Sequence, residues 1–162
     1  MATAAVEGLK AAFKDQITLP DTVSTFEAET KTPWSLSCWQ SPAAFVQPKT
    51  AEEVSKALSV IKETGCKFAV RTSGHNPNPG FSSADESGVV LDLRQLQSRE
   101  LLEDGSARCG AGNTWGDVYS WLEEKKLSAI GGRDRNVGLA GFLLGGMSSR
   151  EPEPISSSSN TC

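Results

Sequence analysis

The sequence predicts an α+β fold: a small parallel strand–helix–strand unit followed by the start of a second, mixed sheet. Three observations carry this expectation. Ala44-Phe45-Val46 and Phe68-Ala69-Val70 are short apolar runs of strand length with a helical pattern between them. Asp104-Gly105 lies between two further short runs, as a hairpin turn does. The 162 residues suffice for one domain of ordinary size, and 38% hydrophobic against 22% charged residues predicts that most of the chain folds.

From the N-terminus, Thr3 to Lys14 has Val6, Leu9 and Phe13 on one helical face, with Thr3 as the candidate N-cap. Ile17 to Thr25 is turn-rich around Pro20-Asp21. Pro33 to Trp39 is aromatic and has two readings, an N-terminal arm packed on the core or a ligand-stacking surface. After the first strand, Thr50-Ala51-Glu52-Glu53 matches a capping box. Val54, Leu58 and Ile61 follow at helical spacing, and Gly65 suits the left-handed position after a helix. A crossover of this kind makes the two flanking strands parallel and right-handed. Val89 to Leu93 is a third strand, dense in apolar and β-branched residues. Leu96 to Leu102 and Ala107 to Ala111 flank the Asp104-Gly105 turn. Thr114 is the candidate cap of a helix from Trp115 to about Lys126, with Val118, Tyr119 and Leu122 facing inward. The organisation is a helix and arm at 1–30, a folded domain at 31–149 and a Pro/Ser-rich tail at 150–162 whose low complexity predicts disorder.

Chemistry concentrates at the end of the second strand. There the chain reads Arg71-Thr72-Ser73-Gly74-His75-Asn76-Pro77-Asn78-Pro79-Gly80-Phe81-Ser82-Ser83, and His75 is the only histidine. Residues 72 to 76 all keep backbone N–H donors. Gly74 has no Cβ to hold a phosphate away from the backbone. Pro77 and Pro79 stiffen the far side. Arg71 offers a planar charged fork for phosphate oxygens. The loop follows a parallel strand, the edge at which open α/β sheets bind ligands. A plain turn with His75 as a surface or core residue is the alternative. A second stretch, Gly131 to Met147, holds only small or apolar side chains between Val137 and Leu144. Dense glycine costs an isolated helix about 1 kcal/mol per residue, so it marks a close approach by backbone or ligand.

The loop R-x-x-G-H-N-P-N-P-G-F-S-S resembles the flavin loop of FAD-linked oxidoreductases with the vanillyl-alcohol oxidase / p-cresol methylhydroxylase (PCMH-type) fold, in particular the fungal berberine-bridge-enzyme-like branch. Many members carry Gly where this chain has Ser73. The stretch Val137-Gly138 through Gly141 to Gly145-Gly146 is similar to the family's second flavin segment, with Met147 in place of its last glycine. The resemblance covers about residues 30 to 149. It implies FAD as cofactor, held by Arg71, Thr72, Ser73, Gly74, His75, Asn76 and Gly80 from the loop. Gly132, Val137, Gly138, Gly141, Gly145 and Gly146 would hold it from the second segment. It also implies a covalent bond from His75 to the flavin. A second link through cysteine is not expected, because Arg133, Asp134, Arg135 and Asn136 occupy the neighbouring positions. The implied chemistry is hydride transfer from an alcohol, sugar or alkaloid-like substrate to FAD and then to oxygen. The substrate half and the catalytic base lie beyond the stretch that resembles the family. The chain is therefore expected to be a PCMH-type domain incomplete at its C-terminus, an N-terminal fragment inactive alone. A truncated non-catalytic remnant is one alternative.

The other alternative is an NAD(P)-binding dehydrogenase fragment. Gly110, Gly112 and Gly116 precede a helix, and Asp134 follows some twenty residues later, in imitation of a dinucleotide fingerprint. The preceding run belongs to a hairpin, which argues against it. No P-loop, H-E-x-x-H or G-x-S-x-G motif occurs. A net charge of −4 argues against a nucleic-acid partner, and no apolar run approaches membrane-span length. The first seven residues lack a basic segment and an apolar core, which favours an intracellular location, although members of the family it resembles are often secreted. Cys38, Cys66, Cys109 and Cys162 form no C-x-x-C pair, so no metal site is expected. Buried free thiols are favoured, with a Cys38–Cys66 disulfide the alternative in an exported protein. The sequence assigns no oligomeric state.

Overall fold

The computed structural model describes residues 1–146; the expected tail at 150–162 lies outside the described residues. The helices are α1 (Ala2–Phe13), α2 (Val23–Thr30), α3 (Ala51–Thr64), α4 (Trp115–Glu123) and α5 (Leu139–Leu144). The strands are β1 (Ile17–Thr18), β2 (Ala44–Val46), β3 (Lys67–Arg71), β4 (Gly88–Asp92), β5 (Arg99–Leu101) and β6 (Ala107–Cys109). Four strands form one sheet in the order β1-β2-β4-β3, and β5-β6 form a separate antiparallel hairpin. The β2-α3-β3 unit is parallel as expected, but its strands do not touch. β4 inserts between them and pairs in parallel with both. All five β4 residues are buried because the strand is central and covered on both faces.

Strand alternation sorts the sheet's side chains onto two faces. Ala44, Val46, Val89 and Leu91 meet Ala5, Leu9 and Phe13 of α1 and Ala57 and Ile61 of α3. Phe45 and Val90 point the other way, onto Phe26 of α2, with the Phe26 and Phe45 rings 5.2 Å apart. A second cluster joins Trp115, Val118 and Leu122 of α4 to Leu139 of α5.

Several local expectations need correction. Helix α1 starts at Ala2, so Thr3 lies inside it and caps nothing. The turn-rich stretch at 17–25 contains β1 and the start of α2. With Phe26 the single buried residue of α2, that helix has no apolar period to read. Leu58 is 38% exposed, and Ala57 takes the inward place instead. Thr50 Oγ1 accepts the Glu53 amide at 3.2 Å, but the Glu53 carboxylate turns back to the Lys49 amide at 2.6 Å rather than to Thr50. Gly65 adopts φ 62° and closes α3 as expected. Helix α4 ends at Glu123 rather than near Lys126. Its box is complete: the Asp117 amide donates to Thr114 Oγ1, and Thr114 N–H donates to Asp117 Oδ2 at 2.8 Å.

The base of the His75 loop is set by a buried ion cluster. Register places Arg71 opposite Asp92 at the carboxyl ends of β3 and β4. Asp92 is fully buried and Arg71 is 2% exposed. Arg71 Nη2 lies 2.5 Å from Asp92 Oδ2 and 2.7 Å from Glu29 Oε2, and its Nη1 donates to the Glu29 carbonyl at 2.7 Å. Arg94 closes the other side of Asp92, with Nη2 at 2.8 Å, and also pairs with Glu29. The Arg71 guanidinium sits 4.8 Å over the Phe45 ring.

Removing one guanidinium leaves a buried carboxylate underpaired. Arg71→Met is expected to cost about 3–5 kcal/mol in urea unfolding; a loss below about 1 kcal/mol would show that Asp92 reaches water instead. A second outcome concerns α4. Partial burial raises the Asp117 carboxyl, but hydrogen bonds from Thr114 and the charges of Arg99 and Arg135 outweigh it, so the group lies below its ordinary value. A depressed carboxyl contributes stability above its unfolded value and loses it as pH falls through the folded one. Thermal melts should therefore fall below about pH 4, and Asp117→Asn should flatten that limb.

Candidate functional site

The loop after β3 is shaped from behind. Gly74 has φ 71°, and a Cβ there would fall 3.1 Å from Pro33 Cα, so both backbone angle and space require glycine. The Pro33–Trp39 segment forms the wall. Trp34 Nε1 donates to the His75 carbonyl at 2.7 Å, Ser37 Oγ to that of Pro77 at 3.1 Å, and Cys38 Sγ to that of Asn76 at 3.4 Å. The aromatic stretch packs onto the loop itself, through the three hydrogen bonds above. Trp34 still exposes 63% of its surface. With the carbonyls tied to the wall, the amides of Ser73, Gly74 and His75 donate to no acceptor among the described residues. Asn76 Oδ1 accepts the Asn78 amide at 2.9 Å and tightens the next turn.

The second segment docks onto this loop. Gly138 N–H donates to Ser73 Oγ at 2.8 Å, and a Cβ on Gly138 would lie 2.6 Å from Thr72 Oγ1. The start of α4 holds it from the other side. Gly116 N–H donates to the Arg135 carbonyl at 2.9 Å, Trp115 N–H to that of Val137 at 3.0 Å, and Leu139 N–H to that of Asn113 at 2.9 Å. Asp134 arrives with Oδ2 3.6 Å from His75 Nε2.

The fold thus brings together Thr72, Ser73, Gly74, His75, Val137 and Gly138. It separates others. Arg71 is not free as a phosphate fork, because its nitrogens are committed to Asp92 and Glu29 in the interior; this corrects the expected role. Gly132 makes room for a protein ring: its Cβ would lie 2.6 Å from Trp115 Cδ1. Gly80 has φ 84° and donates to Ser83 Oγ at 3.1 Å. Around Gly141 no atom comes within 4 Å of a Cβ, Gly145 backs onto the Gly141 carbonyl at 3.0 Å, and Gly146 has φ 64° with open space. Trp34 and Asp134 were not legible as loop partners. The one signal was the polar run Arg133–Asn136 just before Val137-Gly138.

The dinucleotide imitation dissolves in the structure. A Cβ on Gly110 would strike the Leu96 carbonyl at 2.2 Å, and one on Gly112 the Leu93 carbonyl at 2.4 Å. These glycines serve backbone packing, and the strand before them, β6, is antiparallel. Cys38 and Cys66 are buried and unpaired, and burial pushes the Cys66 thiol up. Among the described residues no helix is long and apolar enough to cross a membrane.

A loop with free amides, a neighbouring glycine-bearing turn and the sole imidazole beside them suits a phosphate-bearing cofactor. The FAD binding domain family matches residues 42–161. The chain is 44% identical over 125 residues to an FAD-dependent monooxygenase of Arthrobotrys oligospora, covering 76% of this chain and 24% of that protein. It is 33% identical to 6-hydroxy-D-nicotine oxidase from Arthrobacter nicotinovorans, with a TM-score of 0.69 over 77% of this chain and 27% of that one. A berberine-bridge-enzyme-like protein of Arabidopsis thaliana shares the fold at 22% identity, with a TM-score of 0.72 over 84% of this chain and 29% of that one. The chain belongs to the FAD binding domain family of PCMH-type flavoproteins, and its cofactor is FAD. It spans about a quarter of the length of these relatives. The family match runs on past residue 149, where the resemblance read from the sequence stopped.

The Ser73–Gly138 contact has no room for a side chain. Gly138→Ala is expected to push the two segments apart and cost about 1–3 kcal/mol in urea unfolding. An unchanged midpoint would show that Thr72 can swing away freely.

Proposed function

We propose that this chain is the N-terminal, FAD-holding part of an oxidoreductase, with the FAD pyrophosphate cradled between the His75 loop and the Val137–Gly138 turn. The single observation that carries this reading is the Ser73–Gly138 hydrogen bond beside three amides that have no acceptor among the described residues. Ser73, Gly74 and His75 supply amide donors, and Thr72 and Asn76 flank them. Gly141, Gly145 and Gly146 keep side chains out of the approach. Arg71 contributes by anchoring the loop rather than by touching phosphate. Bound there, FAD supplies two-electron redox chemistry. His75, 40% exposed at the side chain, is the group in reach for a covalent link.

The substrate class proposed for the whole protein is an alcohol, sugar or alkaloid-like molecule that gives up hydride, with oxygen as the final acceptor. The exposed apolar end of α5, with Leu143 at 60% and Leu144 at 90%, supports a reading in which further protein covers this face and completes the enzyme. On that reading the 162 residues alone bind FAD without turning over substrate. The name of the Arthrobotrys oligospora relative favours a second reading, oxygen insertion into substrate. Labelled oxygen in the product, as against hydrogen peroxide in solution, separates the two in a complete protein.

The purified chain incubated with FAD should show flavin absorbance bands, and acid-precipitated protein should retain them. His75→Ala should release the flavin on precipitation. Covalent flavin surviving in His75→Ala would sink the attachment site, and a colourless wild-type chain would favour a flavin-free remnant.

A further inference from the structure

We propose that Asp134 is a positioning residue for His75: its carboxylate selects the imidazole form protonated at Nε2 and so leaves Nδ1 as the nitrogen with the free electron pair. Asp134 was conspicuous in the sequence only as the acid of a false dinucleotide fingerprint. In the fold it stands against the sole histidine.

Both oxygens of this carboxylate have an assigned place. Oδ1 accepts the Asn136 amide at 2.8 Å, and the Asp134 carbonyl accepts the Val137 amide at 3.3 Å. The turn that carries it is tied to α4 through the Arg135 and Val137 carbonyls. Oδ2 is left for His75, 3.6 Å from Nε2. That separation is longer than a formed hydrogen bond, so the carboxylate acts on the imidazole across it through its charge. The imidazole is also held on its other side. Trp34 packs against it with ring centroids 5.7 Å apart and planes at 36°, while its indole N–H grips the His75 carbonyl.

The selection follows from donor and acceptor count. A neutral imidazole has one N–H and one bare nitrogen, and a carboxylate can only accept. With the proton on Nε2 the contact is attractive. With the proton on Nδ1, two electron pairs would face each other across the same gap. A contact as exposed as this one, at 40% and 54%, adds little to stability. Its consequence is orientation and tautomer, which is what a carboxylate facing one ring nitrogen imposes on histidine elsewhere. The use of Nδ1 for flavin attachment rests on the function proposed above; the tautomer does not.

The test uses the full 162-residue chain labelled with nitrogen-15. One histidine means that the imidazole signals have a single source. At a pH where the ring is neutral, the Nε2–H form is expected to exceed the Nδ1–H form by about tenfold, and Asp134→Ala should lower that ratio at least about threefold. A wild-type ring protonated at Nδ1, or an equal ratio in Asp134→Ala, overturns the proposal. If Asp134→Ala does not fold, Asp134→Asn, which keeps the Oδ1 acceptor for the Asn136 amide, takes its place and should lower the ratio likewise; an equal ratio in it overturns the proposal. Acid-stable flavin is scored on the same samples. A ratio that falls in Asp134→Ala without retained flavin in the wild type upholds Asp134 and removes the flavin link. Retained flavin with an unshifted ratio does the reverse.

Discussion

Asp92 is a fully buried carboxylate, and the arrangement around it constrains most of the molecule. An ion in that position costs several kcal/mol of lost hydration unless it is paired and hydrogen-bonded. Arg71 and Arg94 supply the pairing, and Glu29 balances the second guanidinium. Each partner comes from a different element. Arg71 ends β3, Asp92 ends β4, Arg94 follows it by two residues, and Glu29 comes from the last turn of α2. The cluster therefore fixes the β3–β4 register, seats α2 on the sheet and sets the point from which the His75 loop departs.

Above that base the site is assembled from three lengths of chain with few internal contacts of their own. The Pro33–Trp39 wall takes the loop's carbonyls, and the Arg135–Gly138 turn takes Ser73 Oγ. What remains is a group of amides that donate to no acceptor among the described residues, an electrostatic character that suits an anionic group. The Thr114–Asp117 capping box matters here at a distance, since the start of α4 holds the turn that meets the loop.

The site is an open surface. Clefts of about 290 Å³ between Lys49 and Ala111 and about 500 Å³ between Gln40 and Gly88 do not include His75 in their lining. Leu143 and Leu144 at the end of α5 are exposed. The chain is about a quarter as long as its relatives.

Local patterns in the sequence determined the strand–helix–strand unit, the hairpin at Gly105, the caps at Thr50 and Thr114, and the two glycine-bearing segments of the site. Each of these rests on neighbours a few residues apart, where periodicity and turn chemistry speak directly. The tertiary structure alone decided that β4 lies between β2 and β3, since a parallel crossover does not say which strand it skips. It decided the fate of Arg71 as well. A guanidinium fork fits phosphate and carboxylate equally well, and only the register with Asp92 directs it inward. Gly132 lies against Trp115, Gly74 against Pro33, and Asp134 beside His75 for the same reason. A partner seventeen or more residues away depends on where the backbone carries it, and residue type does not encode that.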